Sequence, residues 1–386
     1  MGENINQHYL PQHYLRQFAI QGAGSRQIAI ARLEPFQFIP KGAISGQCRE
    51  ANFYKTDGDL DRVLQSCERD TAPVLERVVR EGCFDAKHIE ALRFLSVVLH
   101  LRTKKAVKRA KEFPKHLYFE VINAAIRKGE LPPAPPDWSK DTIDVSGAAG
   151  HLIHSNTIIC WLEMQTLDCK LLKAAPGSYF ITSDHPVILL NQLMAHTEPH
   201  RSFVGFSRSG FQLLLPVSPN LCVFFYDPNV YKVGSRRAQL VELGADDVEL
   251  VNCLQVQSAD QCVYCHHPAG EPGVRNLVYR YGGLRVRNRN ALRILPGRTE
   301  KETFLHLRNT TVELPRPWGV CRYLRNKKVG QDERRNVGWS NMIQEVAADL
   351  DSNPNGGDIF SRMERIIGVP FTGRGGTPSN DHQMPS

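Results

Sequence analysis

Residues Gln7–Phe18 read QHYLPQHYLRQF. The tetrad QHYL occurs twice, at Gln7–Leu10 and Gln12–Leu15, with Pro11 between the copies. Polar and apolar residues alternate too closely here for a simple buried strand or for a solvated arm. The stretch reads as an N-terminal plug that carries polar groups into a site built by the rest of the chain. The fold must therefore supply an apolar seat for the plug and polar partners beside it.

Working outward from the plug, Gln27–Leu33 alternates like a short strand. Leu60–Arg80 follows a helical period, and Pro73 should kink or divide it. Glu68 lies on its apolar side. A second helix is expected from Ala86 to Glu112, with Ile89, Leu92, Leu95, Val98 and Leu99 as its stripe. Arg102 continues that stripe. Lys104, Lys105, Lys108, Arg109 and Lys111 make the far end basic, so it is read as solvated. A third helix is expected over Lys115–Lys128, a proline-rich connector over Leu131–Trp138 and a fourth helix over Gly147–Leu172.

The pattern then changes to strands at Ser178–Leu190, Phe211–Leu215, Leu221–Tyr226 and Gln261–His266. A helix over Asp246–Gln257 precedes the last of them and carries Asn252 on its inner side. The expectation is an α+β fold, a helical N-terminal half leaning on a mostly antiparallel sheet. Domain limits are drawn at 1–270 for this core, with helices over 60–172 and strands over 178–267. A basic appendage, 271–348, and a largely disordered tail, 349–386, follow.

The bulk numbers narrow the class. At 386 residues with 41% hydrophobic content, the chain can form a sizeable core. No apolar run reaches the roughly 18 residues that span a bilayer. The opening residues show neither a secretory nor a myristoylation pattern, so a cytoplasmic location and no membrane partner are expected. The ten cysteines sit mostly inside apolar patterns, as reduced core thiols do. The net charge of +8 is uneven: from Arg275 to Arg335 there are sixteen Lys/Arg against five acids, 16 − 5 = +11, which leaves −3 elsewhere. Such a block suits nucleic acid or another polyanion, and equally a solvated surface.

Chemistry is sought first where charge meets an apolar face. Glu68 and Arg102 each fall on one, and a buried charge must be paired or functional. They are expected to meet across packed helices. Thr182–Pro186 (TSDHP) brings an acceptor, an imidazole and a rigid turn to a strand end. Asp184 there could bind a metal, act as a base, or cap backbone N–H groups. His8 and His13 are not at the i, i+4 spacing of a helical zinc site, and no HExxH occurs. Cys262–His266 (CVYCH) matches a haem-attachment pattern but lies in a Val/Tyr strand, so neither haem nor zinc is expected. The Arg93/His100 spacing of a helical RNase motif is expected by chance among fourteen histidines.

Taken in order, these positions resemble the family of domain of unknown function 4238. The HY-x-P-x-x-YLR-x-F opening matches Gln7–Phe18. Glu50, Phe53 and Tyr54 match a Glu-x-x-Phe-Tyr element; Glu68, Arg102-Thr103, Phe180–Val187, Pro216–Pro219 and Asn252 match the elements that follow. The resemblance covers about residues 7–267 and implies that polar residues from distant stretches gather at one place. It brings no activity with it. The function expected from the residues is hydrolysis of a phosphate-bearing substrate, with nucleic acid as the candidate substrate. In that reading His8, Glu68, Arg102 and Asp184 are catalytic, and His13, Arg16, Tyr54 and Asn252 bind substrate, with a divalent metal left open. The alternative is a non-catalytic nucleic-acid- or protein-binding module whose buried polar network is structural.

Overall fold

The computed structural model of the chain describes residues 6–20, 26–51, 53, 58–143, 148–194, 205–286, 291–296, 303–308, 312–324 and 334–352. The plug begins with strand β1 (Asn6–His8), turns at Pro11 and continues as the short helix α1 (Gln12–Arg16). Five residues are too few for a helix to persist alone. Burial holds it: Leu10, Tyr14, Leu15 and Phe18 are completely inaccessible. Leu10, Tyr14 and Phe18 are spaced by four, so they share one side of the turn. At about 1.5–3 kcal/mol per buried apolar side chain, they fix the plug firmly.

Strands β2 (Gln27–Leu33), β3 (Phe36–Ala43) and β4 (Arg49–Ala51) follow. β4 pairs antiparallel with β1, with His8 opposite Arg49. Helices α2 (Gly58–Glu81), α3 (Ala86–Arg102), α4 (Lys104–Arg127) and α5 (Ala148–Glu163) form the helical part. α2 runs through Pro73 without a break, because one missing N–H is outweighed by the buried face of Leu64, Thr71, Leu75 and Val78. The expected helix over 86–112 is instead cut at Thr103. Thr103 has extended ψ of 157°, and its Oγ1 accepts from Ala106 N, so it closes α3 and caps α4. The expected third helix is the far part of α4, which passes through Pro114.

The expected helix over 147–172 ends at Glu163, and Asp168–Lys173 is strand β5. Pairing on both edges overrides the helical pattern of Leu171 and Leu172, which lie buried in the sheet. The remaining strands are β6 (Thr182–Ser183), β7 (Ile188–Leu190), β8 (Gln212–Pro216), β9 (Leu221–Tyr226), β10 (Tyr231–Val233) and β11 (Leu240–Glu242). Helix α6 (Ala245–Ser258), strand β12 (Cys262–Cys265) and helix α7 (Glu271–Tyr281) come next. Strands β13 (Ala291–Pro296), β14 (Thr303–Arg308) and β15 (Cys321–Tyr323) and helix α8 (Val337–Ser352) complete the described chain.

The architecture is α+β. A five-stranded sheet has the order β11-β5-β9-β8-β7, antiparallel except for the β11/β5 pair. An antiparallel four-stranded sheet has the order β3-β2-β12-β6. One apolar cluster joins the plug, α2, α3 and the inner face of β8 and β9, with Leu10, Phe18, Leu75, Leu95, Leu213 and Phe225 among its members.

The chain divides into two compact units, Met1–Asn336 and Val337–Ser386. The boundary expected at residue 270 falls inside the first: Val274 and Leu277 of α7 pack with Val256 of α6 and Ala29 and Ala31 of β2. In the second unit α8 takes in 349–352, the start of the expected tail, and the rest of that tail lies outside the described residues. No helix among the described residues is long and apolar enough to cross a membrane.

Candidate functional site

Arg102 is the last residue of α3, and only 2% of its surface is exposed. Its guanidinium donates to Glu68 Oε1 of α2 at 2.6 Å and to the backbone oxygen of His8 at 2.6 Å. Two helices and the plug are thus tied by one cation. The expected meeting of Glu68 and Arg102 is present, and its third member is the His8 main chain. The His8 imidazole points elsewhere: its Nε2 lies 3.3 Å from Ser45 O and 3.4 Å from Gln12 Nε2.

His13, the second residue of the plug helix, lies close enough to Arg102 to feel its charge. Burial, together with the charges of Arg102 and Arg16, pushes its imidazole down to about 4, so the ring is neutral near pH 7. Its buried Nε2 has no hydrogen-bond partner among the described residues. Arg16 is exposed. Pro11, Cys67, Glu68, Phe94, Val98 and Arg102 line a shallow recess with only about 10 Å³ of room, enough for about one water molecule. The Glu-x-x-Phe element meets this junction from the β4 side: Lys104 Nζ lies 2.7 Å from Glu50 Oε2, and the Phe53 ring packs 5.3 Å from Tyr9. Tyr54 lies outside the described residues.

Asp184 belongs to a different junction. It is 4% exposed, and its carboxylate accepts from Asp260 N at 2.8 Å, Gln261 N at 2.7 Å and Cys262 N at 3.0 Å. These are the backbone groups that lead from α6 into β12. Burial lifts Asp184 to about 6, and the N–H bonds of Gln261 and Asp260 hold it from rising further. Among the described residues it forms no hydrogen bond or ion pair with His8, Glu68 or Arg102. The structure thus brings His8, His13, Glu68 and Arg102 together and sets Asp184 apart from them.

Asn252 is an anchor as well. Its Oδ1 accepts from Ile181 N at 2.9 Å and its Nδ2 donates to Tyr179 O at 2.7 Å, which fastens the segment leading into β6 to α6. Tyr14 does the same from the plug, donating to Pro216 O at 2.6 Å with Thr182 Oγ1 at 2.7 Å. TSDHP and the Pro-x-Ser-Pro strand end are therefore where the plug and the sheets meet.

A further set of polar residues was not legible as a site. Lys105, expected in solvent, is 3% exposed and donates to Ser258 O at 2.8 Å, at the C-terminus of α6. The restart of the helix at Thr103 resets the helical phase and turns Lys105 and Arg109 inward. His185 Nδ1 lies 2.6 Å from Thr103 Oγ1, and the His185 and His100 rings are 5.6 Å apart. A threonine able to cap, followed by cations at i+2 and i+6, was the available signal.

The CVYCH stretch is strand β12 between β2 and β6. Residues three apart on a strand face opposite ways, so Cys262 packs into the plug cluster and Cys265 into the α7 cluster. Among the described residues no group of histidine, cysteine and carboxylates is arranged to hold a metal ion. No curated protein and no solved structure matches the chain. One family profile, described as protein of unknown function (DUF4238), matches residues 6–129 and 145–268, which take in the plug, Arg102, TSDHP and Asn252. The chain is a member of the DUF4238 family.

Proposed function

We propose that this protein is a non-catalytic binding module for nucleic acid or another polyanion, in which the buried polar network locks the plug to the fold. One observation supports this above the rest: each carboxylate put forward for chemistry already serves the protein's own donors. Asp184 takes three backbone N–H groups and Glu68 takes the Arg102 guanidinium. A carboxylate so engaged is not free to act as a base or to ligate a metal without undoing a junction of the fold.

The partner class rests on the charge surplus of 275–335. Part of that surplus is neutralised within the fold: Arg280 pairs with Glu249, Arg285 with Glu34 and Arg275 with Glu271. Other cations, among them Arg287, Arg289, Lys327 and Lys328, fall outside the described residues. They are the groups proposed to meet phosphates.

A second reading, a hydrolase acting on a phosphate-bearing substrate, draws on a different observation. Glu68 keeps 30% of its side chain exposed and lines the recess beside Arg102. The two readings separate in one experiment. The full chain is incubated with single- and double-stranded RNA and DNA, with and without magnesium or manganese, and both binding and turnover are followed. The binding reading expects salt-sensitive binding, with log K falling linearly against log salt, and no product. Metal-dependent turnover that disappears in Glu68→Gln, with the melting temperature unchanged, would overturn it.

A further inference from the structure

Beside the Arg102 junction lie four nitrogen-bearing side chains that the network above does not use. His100 comes from the last turn of α3, Lys105 and Arg109 from the first turns of α4, and His185 from the turn after β6. Lys105 and Arg109 are four apart on one helix and so lie on the same side of it. The His185 ring stands 5.6 Å from that of His100, whose other neighbour is Phe206 at 5.8 Å. Arg109 is near enough for its charge to bear on both imidazoles and on the Lys105 ammonium.

The donors outnumber the acceptors. Lys105 has three N–H bonds and, among the described residues, one acceptor, Ser258 O. Arg109 Nε and His100 Nδ1 are shielded from solvent and have no hydrogen-bond partner among the described residues. Neither Lys105 nor Arg109 forms an ion pair among the described residues. Asp184 and Asp260 act on Lys105 only through space, and Asp184 is occupied by the backbone of 260–262. Buried cations without a counter-charge are unfavourable, and an anion placed between them removes the cost.

We propose that His100, Lys105, Arg109 and His185 form a binding site for the phosphoryl dianion of inorganic phosphate or a small phosphate monoester. The two formal positive charges match a dianion. The Arg109 guanidinium offers a fork of N–H groups to a tetrahedral oxyanion, and Lys105 adds a point charge. The imidazoles are held neutral by burial, so they contribute directed hydrogen bonds rather than further charge. Lys105 is buried while Arg109 is part-exposed, so the ligand enters along the Arg109 side chain.

This site is distinct from the polyanion surface proposed above, and its test does not depend on that surface. Isothermal titration calorimetry of the full chain is run with sodium phosphate and with adenosine 5′-monophosphate, against sulfate and chloride at matched ionic strength. Phosphate, or the monophosphate, is expected to bind saturably and to raise the melting temperature beyond the chloride control. Binding of one and not the other identifies the source of the phosphoryl group. Arg109→Gln is expected to weaken binding at least tenfold with an unchanged far-ultraviolet circular dichroism spectrum, and Arg77→Gln on the exposed face of α2 leaves it unchanged. Should Lys105→Met fail to fold, the Arg109→Gln result stands by itself. Heat and melting shifts equal to those of chloride for both ligands, or Arg109→Gln binding within twofold of the unaltered chain, would overturn the assignment.

Discussion

Arg102 and Arg109 lie on either side of Thr103, and their surroundings differ in kind. Arg102 is 2% exposed and meets a carboxylate and a carbonyl, one from each of two other segments. Arg109 has no ion-pair partner among the described residues, although a shielded Nε is common to both guanidiniums. The first is a junction that holds the molecule together. The second holds a cation that meets no carboxylate among the described residues. Burial of a charge alone therefore does not mark a functional residue; its partners have to be counted first.

The most direct way to break this contrast is to truncate both arginines. Arg102→Ala removes the partner of Glu68, leaves His8 O without its donor and opens space among Pro11, Phe94 and Val98. Urea denaturation is expected to show a loss of about 2–4 kcal/mol, the lower figure reflecting the partial exposure of Glu68. Arg109→Met is expected to cost less than about 1 kcal/mol, because an apolar chain of similar reach replaces an uncompensated cation. Equal losses at the two positions would remove the distinction.

Acid sharpens it next. Burial lowers His13 to about 4 and His100 to about 3, and holds His185 well below its ordinary value too. A base whose folded value is depressed stabilises the fold above its unfolded value, near 6.5, and that stability is lost as pH falls towards the folded value. Asp184 acts in the opposite direction: its folded value is raised to about 6, so its share rises as pH falls from about 6 towards 3.8. Three imidazoles oppose one carboxyl, so the fold is expected to weaken between pH 6.5 and pH 4 by several kcal/mol. His13→Gln and His100→Gln should each flatten the curve by about one proton. A stability profile flat across this range would contradict the neutral, buried placement of these rings.

The smallest expected effect tests the plug alone. Tyr14→Phe keeps the ring in its seat but deletes the hydroxyl that bridges Pro216 O and Thr182 Oγ1. A loss of about 1–2 kcal/mol is expected in chemical denaturation. A neutral result would mean that the plug is held by its apolar residues and not by this bridge.

The sequence by itself determined the fold class, the burial of the plug and the meeting of Glu68 with Arg102. Each of these depends on local periodicity: a charged side chain in a helical apolar stripe is carried into the core with its neighbours. The strands at Gln27–Leu33 and Leu221–Tyr226 were legible for the same reason. Only the tertiary structure decided what Asp184, Asn252 and Lys105 do. Their partners, residues 260–262, residues 179–181 and Ser258 respectively, are far away in sequence, and no local pattern records which backbone groups a distant side chain will meet. The helix break at Thr103 is the sharpest case: one capping hydroxyl resets the phase of everything after it, so a face that reads as solvated over 104–111 turns Lys105 into the interior.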